Sequence, residues 1–224
     1  MAVRRKAPKR GPSEPARGWK QSEIYAIGHS TRPLSELVEL LSAHGVKTLA
    51  DVRLLPGSRK LPHFDREQLE VSLPRAGIAY RHLPLLGGRR RARKDSPNGA
   101  WRSAGFRGYA DYMDTADFRR GLEDLRRISR AGRACLMCAE GAPFRCHRTL
   151  IGDALFARGV ILQHISSRAS VRPHRPTPFA RIDGTRVTYP ATLSSGAADT
   201  LRRRGRDRAH PFPRAPSPPS RPGR

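Results

Sequence analysis

The chain has 224 residues and carries 44 lysines and arginines against 19 aspartates and glutamates, a formal charge of +25. The length suits one domain with tails or two small ones, and neither an apolar run near the ~18 residues of a membrane span nor a signal-peptide pattern is present, so a cytoplasmic protein is expected. Three cysteines are too few for a disulfide framework and fit a reducing compartment, where thiols stay available for chemistry or metal.

Residues 1–21 hold seven basic side chains against Glu14 alone, with three prolines and little to bury, and read as a disordered basic arm. Ile24 to Gly28 reads as a strand. A helix opened by Pro33 follows, with Ser30 or Thr31 as its cap, Leu34, Leu37, Val38 and Leu41 on one stripe, and Gly45 as its stop. Thr48 to Arg53 is a second strand. Asp65 is expected to cap a helix running through Leu69 and Leu73 to Gly77, and Ile78 to His82 is a third strand. Between Gly87 and Phe106 lies a long loop with Arg89, Arg90, Arg91, Arg93, Lys94 and Arg102 and a single acid, Asp95; such loops are functional or disordered. Tyr109 and Tyr112 stand at helical spacing and read as core. Asp117 is expected to cap a helix bearing Phe118, Leu122 and Leu125, stopped by Gly132. Ala134 to Cys138 is a strand buried on both faces, Cys146 to Arg158 a helix stopped by Gly159, and Val160 to Ile165 a last strand. Residues 180–189 carry a hairpin signal. Residues 191–224, with eight arginines against Asp199 and Asp207 and a run of prolines, form a second disordered tail.

Strands alternating with helices predict an α/β fold of three layers, a mainly parallel sheet with helices on both faces, with disordered basic tails. Residues 22–190 form the single domain, with a core at 24–165 and an appendage at 166–190. Each tail holds an excess of six positive charges, which leaves thirteen of the twenty-five on the part that folds. That excess points to an acidic partner, nucleic acid or a phosphorylated small molecule.

Ligands of open parallel sheets bind beyond the carboxyl ends of the strands. Gly28-His29-Ser30-Thr31 follows the first strand, Asp51-Val52-Arg53 closes the second, His82 the third, and Cys138-Ala139-Glu140 leads through Arg145 to Cys146-His147-Arg148 after the fourth. The expected site therefore gathers Cys138, Glu140, His147 and His29 as catalytic candidates. Ser30, Asp51, Arg53, Arg145, Cys146 and Arg148 are the binding candidates. Arginines and a helix N-terminus beside a thiol lower its pKa and prepare an anion site. Cys138 and Cys146 are thus read as nucleophile or metal ligand, or as a buried strand cysteine and a small helix-start residue. His29 either moves protons or bonds to the backbone, and Asp51 is expected to position Arg53. Zinc would suit Cys138, Cys146 and His147, completed by His29 or His82. Cys135 and Cys138 have redox-motif spacing, yet three apart in a strand they face opposite ways.

The loop after Cys138 resembles the Cys-loops of rhodanese and of cysteine phosphatases, and Leu49-Ala-Asp-Val-Arg53 resembles a rhodanese strand. The phosphatase loop has five residues between Cys and Arg, whereas six separate Cys138 from Arg145, one of them the acid Glu140. A closer resemblance covers residues 24–190. Ile24-Tyr-Ala-Ile-Gly-His-Ser30, Asp51-Val-Arg53, His82-Leu-Pro-Leu-Leu-Gly-Gly88, Phe106-Arg-Gly-Tyr-Ala-Asp-Tyr-Met113, Cys138-Ala-Glu140 and Cys146-His-Arg148 occur in the order found in the domain-of-unknown-function family number 488. This resemblance implies a single compact α/β domain with the Gly-His-Ser, Asp-Val-Arg, Cys-Ala-Glu and Cys-His-Arg segments as hallmarks, and it implies no reaction. The functional expectation is an enzyme acting on a phosphate-bearing substrate. The alternatives are a non-catalytic nucleic-acid-binding module and a rhodanese-like sulfur carrier.

Overall fold

The computed structural model describes residues 19, 23–57 and 60–191; apart from Trp19 and Ala191, both expected basic tails lie outside them. Six strands make the main sheet: β1 (Glu23–Gly28), β2 (Thr48–Asp51), β3 (Ala79–His82), β4 (Ala134–Cys138), β5 (Ile161–Ser167) and β6 (Ser170–Pro173), in the order β3-β2-β4-β1-β5-β6. The first five in that order pair in parallel, and β6 runs antiparallel along β5. A separate hairpin, β7 (Arg181–Asp183) with β8 (Arg186–Thr188), stands where the hairpin signal lies.

Alternate residues of the strands feed two cores. On one face α1 (Leu34–Ala43) and α2 (Arg66–Arg75) bring Leu37, Leu41, Leu69 and Leu73 against Tyr25, Ile27, Leu49, Cys135 and Met137. On the other, α3 (Ala104–Tyr112), α4 (Ala116–Ala131) and α5 (Arg148–Phe156) bring Tyr109, Phe118, Leu122 and Ile151 against Ile24, Ala26, Val52, Leu136 and Cys138. The three-layer α/β fold is the one expected, and all five residues of β4 are buried. Cys135 and Cys138 belong to opposite cores, as strand alternation demands.

Three local expectations change. Ser30 does not cap α1: it adopts a left-handed backbone, φ 52°, as the chain turns off β1, and Pro33 takes the N-cap position. At α4 the cap is Thr115, whose hydroxyl accepts from Phe118 N at 3.2 Å, while Asp117 falls inside the first turn. The last helix begins two residues later than its pattern suggested, because Pro143–Arg145 form a 3-10 turn and Cys146 is extended, leaving Cys146 and His147 ahead of α5.

The basic loop is tied down by polar contacts. Buried Asp111 of α3 accepts from Arg93 N (2.8 Å), Ser96 Oγ (2.6 Å) and Asn98 Nδ2 (2.8 Å). Asn98 Oδ1 accepts in turn from Tyr189 N at 2.8 Å. Tyr189 OH, Thr177 and His174 all donate to Asp153 of α5, which clasps the appendage to the core.

Candidate active site

The strand order creates the site. From β1 the chain leaves through α1 towards β2 on one face, and from β4 it leaves through α5 towards β5 on the other. The connections after these neighbouring strands diverge, opening a crevice at their carboxyl ends. The ladder continues into it: His29 N donates to Cys138 O (3.0 Å) and Ser30 N to Ala139 O (2.9 Å). Gly28 is required by close approach, since a Cβ there would overlap the Glu140 carbonyl and stand 2.7 Å from Gly141 Cα. The resulting cleft, about 750 Å³, is lined by His29, Ser30, Arg53, Gly88, Arg89, Cys138, Glu140, Arg145, Cys146 and His147.

One wall is a buried ion pair. Asp51, fully inaccessible, receives Arg53 Nε at 2.9 Å, Arg53 Nη2 at 2.5 Å and Tyr80 OH at 2.8 Å. Arg53 Nη2 also donates to Phe64 O (2.8 Å), and its Nη1 stands 3.4 Å from His29 Nε2. His29 Nδ1 lies 2.9 Å from the Ser30 carbonyl, which can only accept, so Nδ1 carries the proton and the Nε2 lone pair faces Arg53. Its ring stacks on Phe64 at 4.0 Å. Burial pushes the His29 pKa down to about 4, outweighing the bond to Ser30, and the Arg53 charge adds to the push, so His29 is neutral at pH 7. His82 turns away from the cluster to place its Nε2 2.9 Å from Arg53 O.

The floor holds two thiols and an imidazole. Cys138 Sγ, Cys146 Sγ and a His147 ring nitrogen all lie within 4.8 Å of one another. His147 Nε2 is 3.0 Å from Val52 O, so Nε2 is the protonated nitrogen and Nδ1 turns its lone pair to the sulfurs, 3.9 Å from Cys138 and 3.7 Å from Cys146. Arg148, 1% exposed, donates Nε–H to Cys146 Sγ at 3.3 Å and bonds the Glu140 carbonyl through Nη2. Hydrogen bonding from Cys138 holds the Cys146 thiol well below its usual range against the penalty of burial, with the Arg148 charge assisting. The same bond, with burial, raises Cys138. Because a guanidinium only donates, Arg148 favours the thiolate form of Cys146 over that of Cys138.

Eight of the ten residues expected at the site line this cleft, while Asp51 and Arg148 lie buried behind it. Arg53 and Arg148 are bonded inside the protein, whereas Arg145 is exposed at the mouth. Arg89 joins Arg145 there; it is one of six cations in its loop, and composition alone does not single it out. Gly88 was marked only by its motif. Tyr109, expected in the core, packs its ring 5.0 Å from that of His147 while its hydroxyl donates to Leu86 O.

Fold and site together define a doubly wound parallel α/β protein with a thiol-, histidine- and arginine-lined crevice at its topological switch point. Residues 33–155 match the family described as Domain of unknown function DUF488, and the chain belongs to that family. The matched stretch includes Asp51, Arg53, Cys138, Glu140, Cys146, His147 and Arg148; Gly28 to Ser30 precede it. No curated protein and no solved structure matches the chain.

Proposed function

We propose that the protein is an enzyme acting on a phosphate-bearing substrate, a nucleotide or nucleic acid, bound in the crevice between the ends of β1 and β4. The observation that carries this reading is the convergence of residues 29–31, 53–57 with Leu61, 88–89 and 138–147 on one cleft. Arg89 and Arg145 at the mouth hold the anion. Arg53 and Arg148 act from behind, orienting His29 and Cys146 and adding positive potential to a water-poor wall. Glu140, partly exposed on the lip, moves protons, with neutral His29 as the second candidate for that role. Cys138, Cys146 and His147 supply the reactive floor. Simple phosphate recognition needs neither those thiols nor a carboxylate beside the arginines, which favours catalysis over a binding module.

The test combines calorimetric titration with nucleoside phosphates and 5′-phosphorylated oligonucleotides and phosphorus NMR of the products. Combined Arg89→Ala and Arg145→Ala replacement is expected to weaken binding about tenfold or more, the loss of one or two charge-assisted contacts. Glu140→Gln is expected to leave binding intact and to reduce turnover about 10²-fold or more. Unchanged affinity in the double variant, or binding without turnover of any of these ligands, would contradict the proposal; the second result would favour the binding module.

A further inference from the structure

We infer that Cys138, Cys146 and His147 form a binding site for a thiophilic divalent cation of the zinc class, with one coordination position open to the cleft. Around a tetrahedral zinc, with Zn–S of ~2.3 Å and Zn–N of ~2.0–2.1 Å, sulfur and nitrogen ligands stand roughly 3.6 Å apart and two sulfurs roughly 3.8 Å apart. The observed sulfur–nitrogen separations are 3.7 and 3.9 Å, and the whole triad fits within 4.8 Å. The sulfur–nitrogen separations already match that geometry, and the two sulfurs need only close around the common centre.

Orientation supplies a second, independent argument. A ligating histidine characteristically donates its other N–H to a carbonyl or carboxylate, which selects the tautomer and aims the lone pair. His147 does this through Nε2 to Val52 O, a carbonyl at the end of β2, so a strand end far away in sequence points Nδ1 at the thiols. The ring is closely packed: a Cβ on residue 88 would stand 3.0 Å from Nδ1 and 3.3 Å from Cε1 and Cγ, so an added methyl would make the ring give by a few tenths of an ångström. Arg148 Nε–H on Cys146 Sγ provides the hydrogen bond to thiolate that outer-shell groups supply at metal sites.

Adjacent ligands such as Cys146 and His147 violate the usual spacing, and the backbone explains how both still reach. Cys146 is extended (φ −127°, ψ 144°) and His147 helical (φ −58°, ψ −15°), and this break in conformation sends consecutive side chains to one point. The expectation of a histidine as fourth ligand is corrected: His29 is bonded to Ser30 and faces Arg53, and His82 is bonded to Arg53 O. Three protein ligands with the fourth position facing a cleft is the arrangement of catalytic rather than structural zinc. Its use in catalysis rests on the enzyme reading above; its existence does not.

The experiment loads the reduced full-length chain with zinc or cobalt(II) alone. Zinc content is measured by mass spectrometry, affinity by competition with a chromophoric chelator, and ligand identity by the cobalt absorption spectrum. One metal per chain is expected, with intense ligand-field bands of tetrahedral cobalt and thiolate-to-cobalt charge transfer. Cys138→Ser, Cys146→Ser and His147→Ala should each weaken zinc binding about 100-fold or more, and Cys135→Ser, in the opposite core, should leave it unchanged. Gly88→Ala retains every ligand but crowds the ring off its line to the sulfurs, and about a tenfold weakening is expected, the scale of an outer-shell change. If a cysteine variant does not fold, the wild-type spectrum and Gly88→Ala decide. Absence of stoichiometric metal in the folded wild type, a cobalt spectrum without thiolate charge transfer, or affinity indifferent to Cys138 and Cys146 would overturn the inference. None of these readouts requires turnover, so metal site and enzymatic reading can fail separately.

Discussion

Asp51→Asn is expected to cost roughly 3–5 kcal/mol of folding stability, the range for breaking a buried ion pair from one side. Asp51 has no accessible surface and takes donors from Arg53 and Tyr80, while Arg53 is 7% exposed and has the Phe64 carbonyl as its other strong partner. Asparagine keeps the shape but removes the charge, and it turns an amide N–H₂ towards groups that are themselves donors. The guanidinium is then buried and uncompensated beside His29. Urea denaturation followed by circular dichroism measures the loss. Replacing both partners with apolar residues should recover much of it, because the desolvation penalty disappears with the second charge. A loss under about 1 kcal/mol in Asp51→Asn would show that the pair does not clamp this wall of the cleft.

Gly28→Ala is expected to be nearly as damaging, for a steric reason. The added methyl would meet the Glu140 carbonyl and Gly141 Cα, both backbone atoms, so no side chain can swing aside to receive it. Overpacking of this kind costs about 1–3 kcal/mol where neighbours can adjust and more where they cannot. We expect a loss at the upper end of that range. The displaced 139–141 segment would also draw the Glu140 carbonyl away from Arg148, which binds it, and loosen Cys146. Hydrogen exchange should accelerate at residues 139–146 while the helices α1 and α2 on the far face stay protected. Wild-type stability with unchanged exchange would contradict the packing described for β1 and β4.

Periodicity carried most of the fold. The stripe of Leu34, Leu37 and Leu41, the unbroken apolar run of β4 and the helical spacing of Tyr109 and Tyr112 each report burial directly, because side chains recur with the period of the element that hides them. The strand order was not legible. That β4 inserts between β2 and β1 depends on which apolar faces meet in space, and no local pattern encodes it. Caps were ambiguous for a related reason: Thr115 and Asp117 are both chemically able, and the start of the turn decides between them.

The site divides in the same way. Every parallel strand ends on one rim, so the residues after β1, β2 and β4 were expected on the same side of the sheet, whereas their adjacency depends on the order β2-β4-β1. Depth could not be read. Arg53, Arg145 and Arg148 look alike in sequence, and only packing distinguishes the exposed arginine from the two bonded to buried partners. The Cys146-His147 adjacency counts against a shared ligand in any spacing rule, and it took the extended-to-helical break at these residues to bring the donors together.

A second basic cleft, lined by Arg90, Arg91, Arg93, Lys94 and Arg107, competes with the crevice for a phosphate-bearing ligand. Amide chemical-shift mapping of the nitrogen-15-labelled chain during titration with a nucleoside monophosphate distinguishes the two. Saturable shifts should appear at Gly28 to Thr31, at Gly88 and Arg89, and at Glu140 to Arg145. Shifts confined to Arg91 to Lys94 and Arg107, with the crevice between β1 and β4 undisturbed, would contradict the account.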